Sequence, residues 1–248
     1  MKKLVNKIRR KWMKLRLQPI RVFVFHHVSE VRDPLVCQQD DWTQLDQFQR
    51  NIEKLQQRYT FISLTEAYDK LRRDIFRYRK YAVLTTDDGL ASVLNIQPWL
   101  EERNIPLALF VNTRYMKGDK LKPVHEKWLQ ELVPVIDTKT IAQKMYLSKE
   151  QIWSLKSPLV EIGLHGHDHL DVAQITETQF ENDFHLCYGN LHDHPRFVSA
   201  YAYPWGHATA NSLTKLRQYN FIPVLVSGGK NYEWNKYIDR ECIDDKEL

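Results

Sequence analysis

Apolar residues along the chain gather in short runs rich in β-branched and aromatic side chains, and longer stretches with helical spacing lie between most of them. The runs are IRVFVFHHV (20–28), TFISL (60–64), YAVLTTDD (81–88), PLALFVN (106–112), VEIGLH (160–165), FVSAYAYP (197–204) and IPVLVS (222–227). Each reads as a strand. WTQLDQFQRNIEKLQQ (42–57) carries Trp42, Leu45, Phe48, Ile52 and Leu55 at helical spacing. Residues 90–103 predict another helix, kinked or broken at Pro98. Ser148-Lys149-Glu150-Gln151 and Thr176-Glu177-Thr178-Gln179 read as capping boxes that open two more.

Strand–helix alternation predicts an α/β fold on a parallel sheet, open or closed into a barrel. The strands are apolar on both faces, as in sheets covered by helices. No repeat or linker divides the chain, so a single domain is expected over 19–248, after a distinct segment at 1–18. Chemistry in such folds sits at the carboxyl ends of the strands. Four polar clusters fall there: His26-His27, Asp87-Asp88, His165 to His169, and the turn at Pro204-Trp205-Gly206.

Charge changes the picture at the amino end. Residues 1–18 hold eight Lys or Arg and no acid, whereas the rest of the chain has 28 basic against 31 acidic residues. The body is therefore not basic, which argues against a nucleic-acid partner. The segment lacks the apolar core of a signal peptide, and no stretch has the length of a membrane span. Leu4, Ile8, Trp12 and Leu15 share one helical face amid Lys and Arg. This pattern suits either packing on the domain or peripheral contact with an anionic membrane. The expectation is a cytoplasmic protein, with the inner membrane face as the place of any such contact. Cys37, Cys187 and Cys242 are odd in number and widely spaced, which fits a reducing compartment rather than a disulfide framework.

Two of the polar clusters carry specific chemistry together. Adjacent carboxylates at the end of a buried strand repel unless they are solvated in a turn or face a cation. In His165-Gly166-His167-Asp168-His169, imidazoles separated by three residues can bind one transition metal. A carboxylate from another strand end would complete three protein ligands and leave an open position. One of Asp87 and Asp88 can then ligate while its neighbour acts as general base. Metallo-β-lactamase-type hydrolases use H-x-H-x-D-H, and this string is one residue short of that pattern. His192-Asp193-His194 could be recruited there, although Pro195 marks it as a loop.

At these residues the chain resembles the polysaccharide deacetylases, the NodB-homology domain or carbohydrate esterase family four. VLTTDDG is similar to the family's T-F-D-D-G motif, with Thr86 in place of the aromatic. EIGLHGHDH resembles E-I-G-x-H-[S/T]-x-x-H, with Gly166 in the Ser/Thr place, and AYPWG resembles the P-Y-G turn of many members. NIPLALFVNT and YLSKEQIWSL resemble the strand and helix that lie between the first two motifs. The likeness runs from about Ile20 to Ile243.

The resemblance implies a distorted (β/α) barrel with fewer than eight strands. It implies a metal-dependent hydrolase that removes N-acetyl groups from an amino-sugar glycan or a lipid-linked precursor and releases acetate. Asp87 matches the catalytic base, while Asp88, His165 and His169 match the ligands of one metal, zinc first, with cobalt, nickel or iron also suited to that donor set. Tyr203, Pro204 and Trp205 match a groove wall whose backbone N–H near Trp205 holds the oxyanion. Two departures stand out. Ala202 occupies the place of an Arg that orients the base in many members, and Arg240 in YIDREC is the candidate replacement. The L-x-H motif that supplies the general acid is missing, since no His follows His207. VFVFHHV resembles the first strand of a permuted subgroup, in which His26 would be that acid; His27 should point the opposite way. Trp99, Tyr203, Trp205 and Trp234 could offer sugar-stacking faces. The departures also leave open a carbohydrate-binding pseudoenzyme, and the fold admits an O-acetyl esterase or another amidohydrolase.

Overall fold

The computed structural model describes residues 18–32, 41–73, 79–117 and 143–248. β1 (Ile20–Phe25) leads into β2 (His27–Ser29), which pairs in parallel with β3 (Trp42–Gln44). Next come α1 (Leu45–Gln56), β4 (Thr60–Phe61), α2 (Leu64–Arg73), β5 (Tyr81–Thr86), α3 (Val93–Glu102) and β6 (Leu107–Val111). The chain continues through α4 (Lys149–Ser154), β7 (Val160–Leu164), α5 (Glu177–Leu191), β8 (Phe197–Ala202), α6 (Ala210–Gln218), β9 (Ile222–Val226), β10 (Lys230–Asn231) and β11 (Ile238–Cys242).

Seven strands close a barrel in the order β1-β11-β9-β8-β7-β6-β5, with β5 pairing back onto β1 from Arg21↔Ala82 to Phe25↔Thr86. All seven of these pairings are parallel. A register shift between Ile162 and Leu164 distorts the β7–β8 seam. β4 extends the sheet beside β5, and β10 lies antiparallel on β1. The result is the expected α/β barrel of fewer than eight strands, in a single domain.

Strand period places alternate residues inside and outside the barrel. Val22, Val83, Ala108, Phe110, Ala202, Val224 and Ile238 belong to one buried cluster, the inner one. Ala82, Leu84, Leu107, Leu109, Ile162 and Leu164, of opposite parity, join a second cluster with Phe48 and Ile52 of α1, Ile96 of α3 and Phe184 of α5. In α1 the buried residues Phe48, Asn51, Ile52 and Leu55 fall on one face, as its spacing predicts. Both expected capping boxes form. Ser148 accepts from the Gln151 N–H (3.2 Å) and Thr176 from the Gln179 N–H (3.3 Å). α3 keeps Pro98 inside the helix.

The inward parity also buries Glu161, at the amino end of β7. Its carboxylate accepts from the backbone N–H of Leu64 (2.7 Å) and Thr65 (3.2 Å) and from the Thr65 hydroxyl. An anion at the N-terminus of α2 satisfies donors that the helix cannot pair itself. Glu161→Ala is expected to cost about 1–3 kcal/mol, read as a lower urea midpoint, because those buried donors lose their acceptor.

Some expected elements differ. The run TFISL is a strand only over Thr60–Phe61, since Glu161 captures Leu64 as the start of α2. Trp42–Gln44 pairs with β2, so the helix expected from Trp42 begins at Leu45. Residues 1–17 of the basic segment, with the membrane contact assigned to it, lie outside the described residues. No helix among the described residues is long and apolar enough to cross a membrane.

Candidate active site

The carboxyl ends of the barrel strands open into a cleft of about 240 Å³ bordered by His26, Asp87, Asp88, His165, His169 and Trp205. Inward parity delivers three of these directly: His26 follows β1, Asp87 follows β5 and His165 follows β7.

Asp88 Oδ1 lies 3.3 Å from His165 Nε2 and 3.3 Å from His169 Nε2. The other ring nitrogen of His165, Nδ1, is 2.9 Å from the Ala202 carbonyl, so it carries the proton and leaves Nε2 as a lone-pair donor. Two donors bound at about 2.0–2.1 Å to one tetrahedral zinc stand about 3.3 Å apart. One carboxylate oxygen and two imidazole nitrogens at this separation therefore fit a transition metal. The electrostatics keep Asp88 an anionic donor. Burial works to raise Asp88, but His169 and His165 hold it far below the usual carboxylate range. Burial works to lower His165, yet Asp87 and Asp88 raise it.

Asp87 is gripped from inside the barrel. Arg240 donates from its two terminal nitrogens to Asp87 Oδ1 (2.6 Å) and Oδ2 (2.7 Å), and one of them also reaches Thr85 Oγ1 at 3.2 Å. Arg240 is 0% exposed, with its guanidinium 5.4 Å from the Phe110 ring. Burial pushes Asp87 up, but Arg240 and then His165 bring it below its ordinary value. Asp87 Oδ2 is 3.8 Å from His165 Nε2.

His26 stands elsewhere on the rim. Its backbone N–H donates to Asp244 Oδ1 (2.9 Å), and its Nδ1 lies 2.6 Å from Asp244 Oδ2. Burial works to lower this imidazole, but the hydrogen bonds to Asp244 and Cys242 and the charges of Asp244 and Asp88 together outweigh it, and the group sits well above its ordinary value. His27 also borders the cleft rather than facing wholly away from it.

The loop that carries the histidines is held from below. Asp183 of α5 accepts from the backbone N–H of His167 (2.9 Å) and Asp168 (2.7 Å). Gly166 has φ +77°, and a Cβ there would meet Asp183 at 2.7 Å, so glycine suits the position where the family has Ser or Thr. His167 pairs with Thr113 (2.8 Å) and Asp168 with Arg114, which keeps both out of the donor cluster. Asp88 (φ 68°), His169 (φ 52°) and Trp205 (φ 62°) are left-handed non-glycine residues. Such backbone strain, of order 1–3 kcal/mol each, concentrates at functional sites.

The turn at Pro204–Gly206 forms the remaining wall. The Trp205 ring is 57% exposed and lies 5.2 Å from the His169 ring. Tyr203 also borders the cleft, but its hydroxyl donates to Ser212, and Pro204 is buried behind the turn. Of the four aromatics expected to stack on sugar, Trp99 packs on Phe48 and Trp234 on Tyr68, away from the cleft. The rival histidine pair is also elsewhere: His194 is buried against the Ile152 carbonyl (3.0 Å), and His192 stacks on Tyr188. Asp183, Cys242 and Asp244 join the site without any local motif to mark them: Asp183 holds the histidine loop from α5, and Asp244, with Cys242 beside it, meets His26 from the far end of the chain.

Among curated proteins none matches the chain. Several solved structures share its fold. IcaB from Ammonifex degensii is 22% identical, covering 93% of this chain and 94% of its own, with a TM-score of 0.70. A de-N-acetylase from Aggregatibacter actinomycetemcomitans is 16% identical, covering 93% and 97%, with a TM-score of 0.67. The Streptococcus pyogenes deacetylase PplD, in complex with acetate, is 19% identical, covering 92% and 93%, with a TM-score of 0.66. The family model for polysaccharide deacetylase matches residues 77–224, more than half of the chain and the span that carries Asp87, Asp88, His165, His169 and the Pro204 turn. The chain belongs to the polysaccharide deacetylase family.

Proposed function

We propose that the protein is a metal-dependent carbohydrate N-deacetylase, cleaving acetamides on an amino-sugar glycan or a lipid-linked precursor. The observation that carries this is the meeting in one cleft of the Asp88/His165/His169 donor set, the Arg240-gripped Asp87 and the Asp244-paired His26. A divalent metal held by Asp88, His165 and His169, zinc by preference, would polarise the acetamide carbonyl and acidify water. Asp87 is ionised and faces the cleft, so it takes the proton of the attacking water. Arg240 holds both oxygens of Asp87 and keeps it from swinging away. The backbone N–H near Trp205 donates to the carbonyl oxygen as negative charge grows on it. His26, kept protonated by Asp244, gives its proton to the sugar nitrogen as the C–N bond breaks. Acetate and the free amine leave, Asp87 passes its proton to solvent, and His26 takes one back from solvent. The exposed Trp205 ring suits the apolar face of a pyranose.

An O-acetyl esterase is the second reading that these contacts admit, because an alkoxide needs less help to leave than an amide nitrogen. The two are told apart by acetate release from matched N- and O-acetylated sugars. The expected result is release from the amide, with His26→Ala losing about 10²–10⁴-fold on the amide and far less on the ester. Release from esters alone would overturn the N-deacetylase reading. Metal binding without release from any sugar would instead support a carbohydrate-binding pseudoenzyme.

A further inference from the structure

We propose that His26, Cys242 and Asp244 form a second site for a divalent transition metal, and that occupation of this site switches the enzyme off. His26 Nδ1 lies 2.6 Å from Asp244 Oδ2, and Cys242 Sγ lies 3.2 Å from the same oxygen. One ligand atom from each of the three falls within 4.8 Å of the others, as in the Asp88/His165/His169 cluster. Thiolate, imidazole and carboxylate are all zinc donors, with thiolate the softest of the three. Asp244 is already oriented by the His26 N–H, and both His26 and Cys242 border the cleft, which gives an ion a way in. Bound donors on one zinc stand about 3.3–3.6 Å apart, so entry of the ion spreads the imidazole–carboxylate pair by several tenths of an ångström.

Binding exchanges protons for metal. The ion replaces the proton between His26 and Asp244 and displaces the Cys242 thiol proton, so two protons leave for each ion bound. An imidazole that ligates a metal through Nδ1 keeps its Nε2–H but is no longer an imidazolium, and so is too weak an acid to protonate the departing amine. The site itself stands on geometry alone; its inhibitory effect rests on the deacetylase reading, in which His26 is the acid.

The test is a cobalt(II) titration of the metal-free full chain, followed by near-ultraviolet thiolate-to-cobalt absorption, with acetate release measured on the same samples. The wild type is expected to gain the thiolate band only beyond the first equivalent, and its acetate release then to fall at least about tenfold, as full loss of a general acid allows. In Cys242→Ser the band is absent, and the ratio of activity at two equivalents to that at one stays near unity. Cys187 is fully buried and its thiol is pushed up by burial, so it does not compete. A wild type with no thiolate band, or a band undiminished in Cys242→Ser, would overturn the second site. A band that depends on Cys242, in a protein that releases no acetate from any sugar, would uphold the site and defeat the deacetylase reading.

Discussion

Asp87→Asn is expected to lower kcat/KM for acetate release about 10²–10⁴-fold, the usual worth of a general base. The amide cannot accept the proton of the attacking water. It also presents an N–H₂ to one of the two Arg240 nitrogens that Asp87 Oδ1 and Oδ2 now satisfy at 2.6 and 2.7 Å. Some stability is lost with the activity, so the rate is compared per folded molecule, using circular dichroism to set the folded fraction. Metal content is expected to survive, because Asp88, His165 and His169 keep their positions around Asp88 Oδ1. An Asp87→Asn protein with near wild-type kcat/KM would remove Asp87 from the role of base.

Arg240→Met is expected to be the most destabilising single change in the cleft, at about 3–5 kcal/mol, the usual cost of stranding one member of a buried ion pair. Arg240 is 0% exposed and Asp87 3% exposed, so water does not replace the lost partner. The loss has a signed pH dependence. In the wild type Asp87 is lowered in the folded state, so its contribution is present above the unfolded carboxylate pKa and is lost as pH falls through the folded value. Without Arg240, burial raises the Asp87 pKa, and the charged carboxylate then costs stability until the pH is low enough to protonate it. The gap between wild type and Arg240→Met in urea denaturation should therefore narrow as pH is lowered. Adding Asp87→Asn to Arg240→Met should recover part of the loss, since the double variant leaves no charge stranded. A gap that widened at low pH would contradict this pairing.

Much of the barrel is legible in the sequence because its strands carry apolar residues on both faces, a pattern that a half-solvated strand or a surface helix does not produce. β11 is not, since Ile238-Asp239-Arg240-Glu241-Cys242 reads as a polar stretch. Arg240 faces inward there only because Asp87 and Thr85 await it. β3 escapes for a different reason: it is three residues long, too short for any period to show, while β2 is read as the tail of the first run, which the structure breaks at His26. Within the cleft, adjacency in sequence makes Asp87-Asp88 and His165 to His169 conspicuous. Local order also separates their contacts, since Asp88 turns left-handed after Asp87 and so aims its carboxylate at the histidines. Asp244 is invisible to this kind of reasoning. It meets His26 from 218 residues away and does so as one of two adjacent acids, Asp244 and Asp245, beside the equally unmarked Cys242. Ala202 illustrates a substitution of means. Where the family's orienting Arg is missing, the barrel supplies a guanidinium to Asp87 from β11 instead.

The most direct test of a metal-dependent deacetylase centre at Asp88, His165 and His169 is metal content and acetate release measured together on wild type, chelator-stripped wild type and His165→Ala, with N-acetylated amino-sugar oligomers as substrate. The expected result is about one tightly held equivalent of transition metal per wild-type chain, as a three-ligand catalytic site takes. Acetate release should disappear on stripping, return when that equivalent is restored, and be absent together with the metal in His165→Ala. Undiminished acetate release from the stripped enzyme, or a His165→Ala protein that kept both metal and activity, would contradict it.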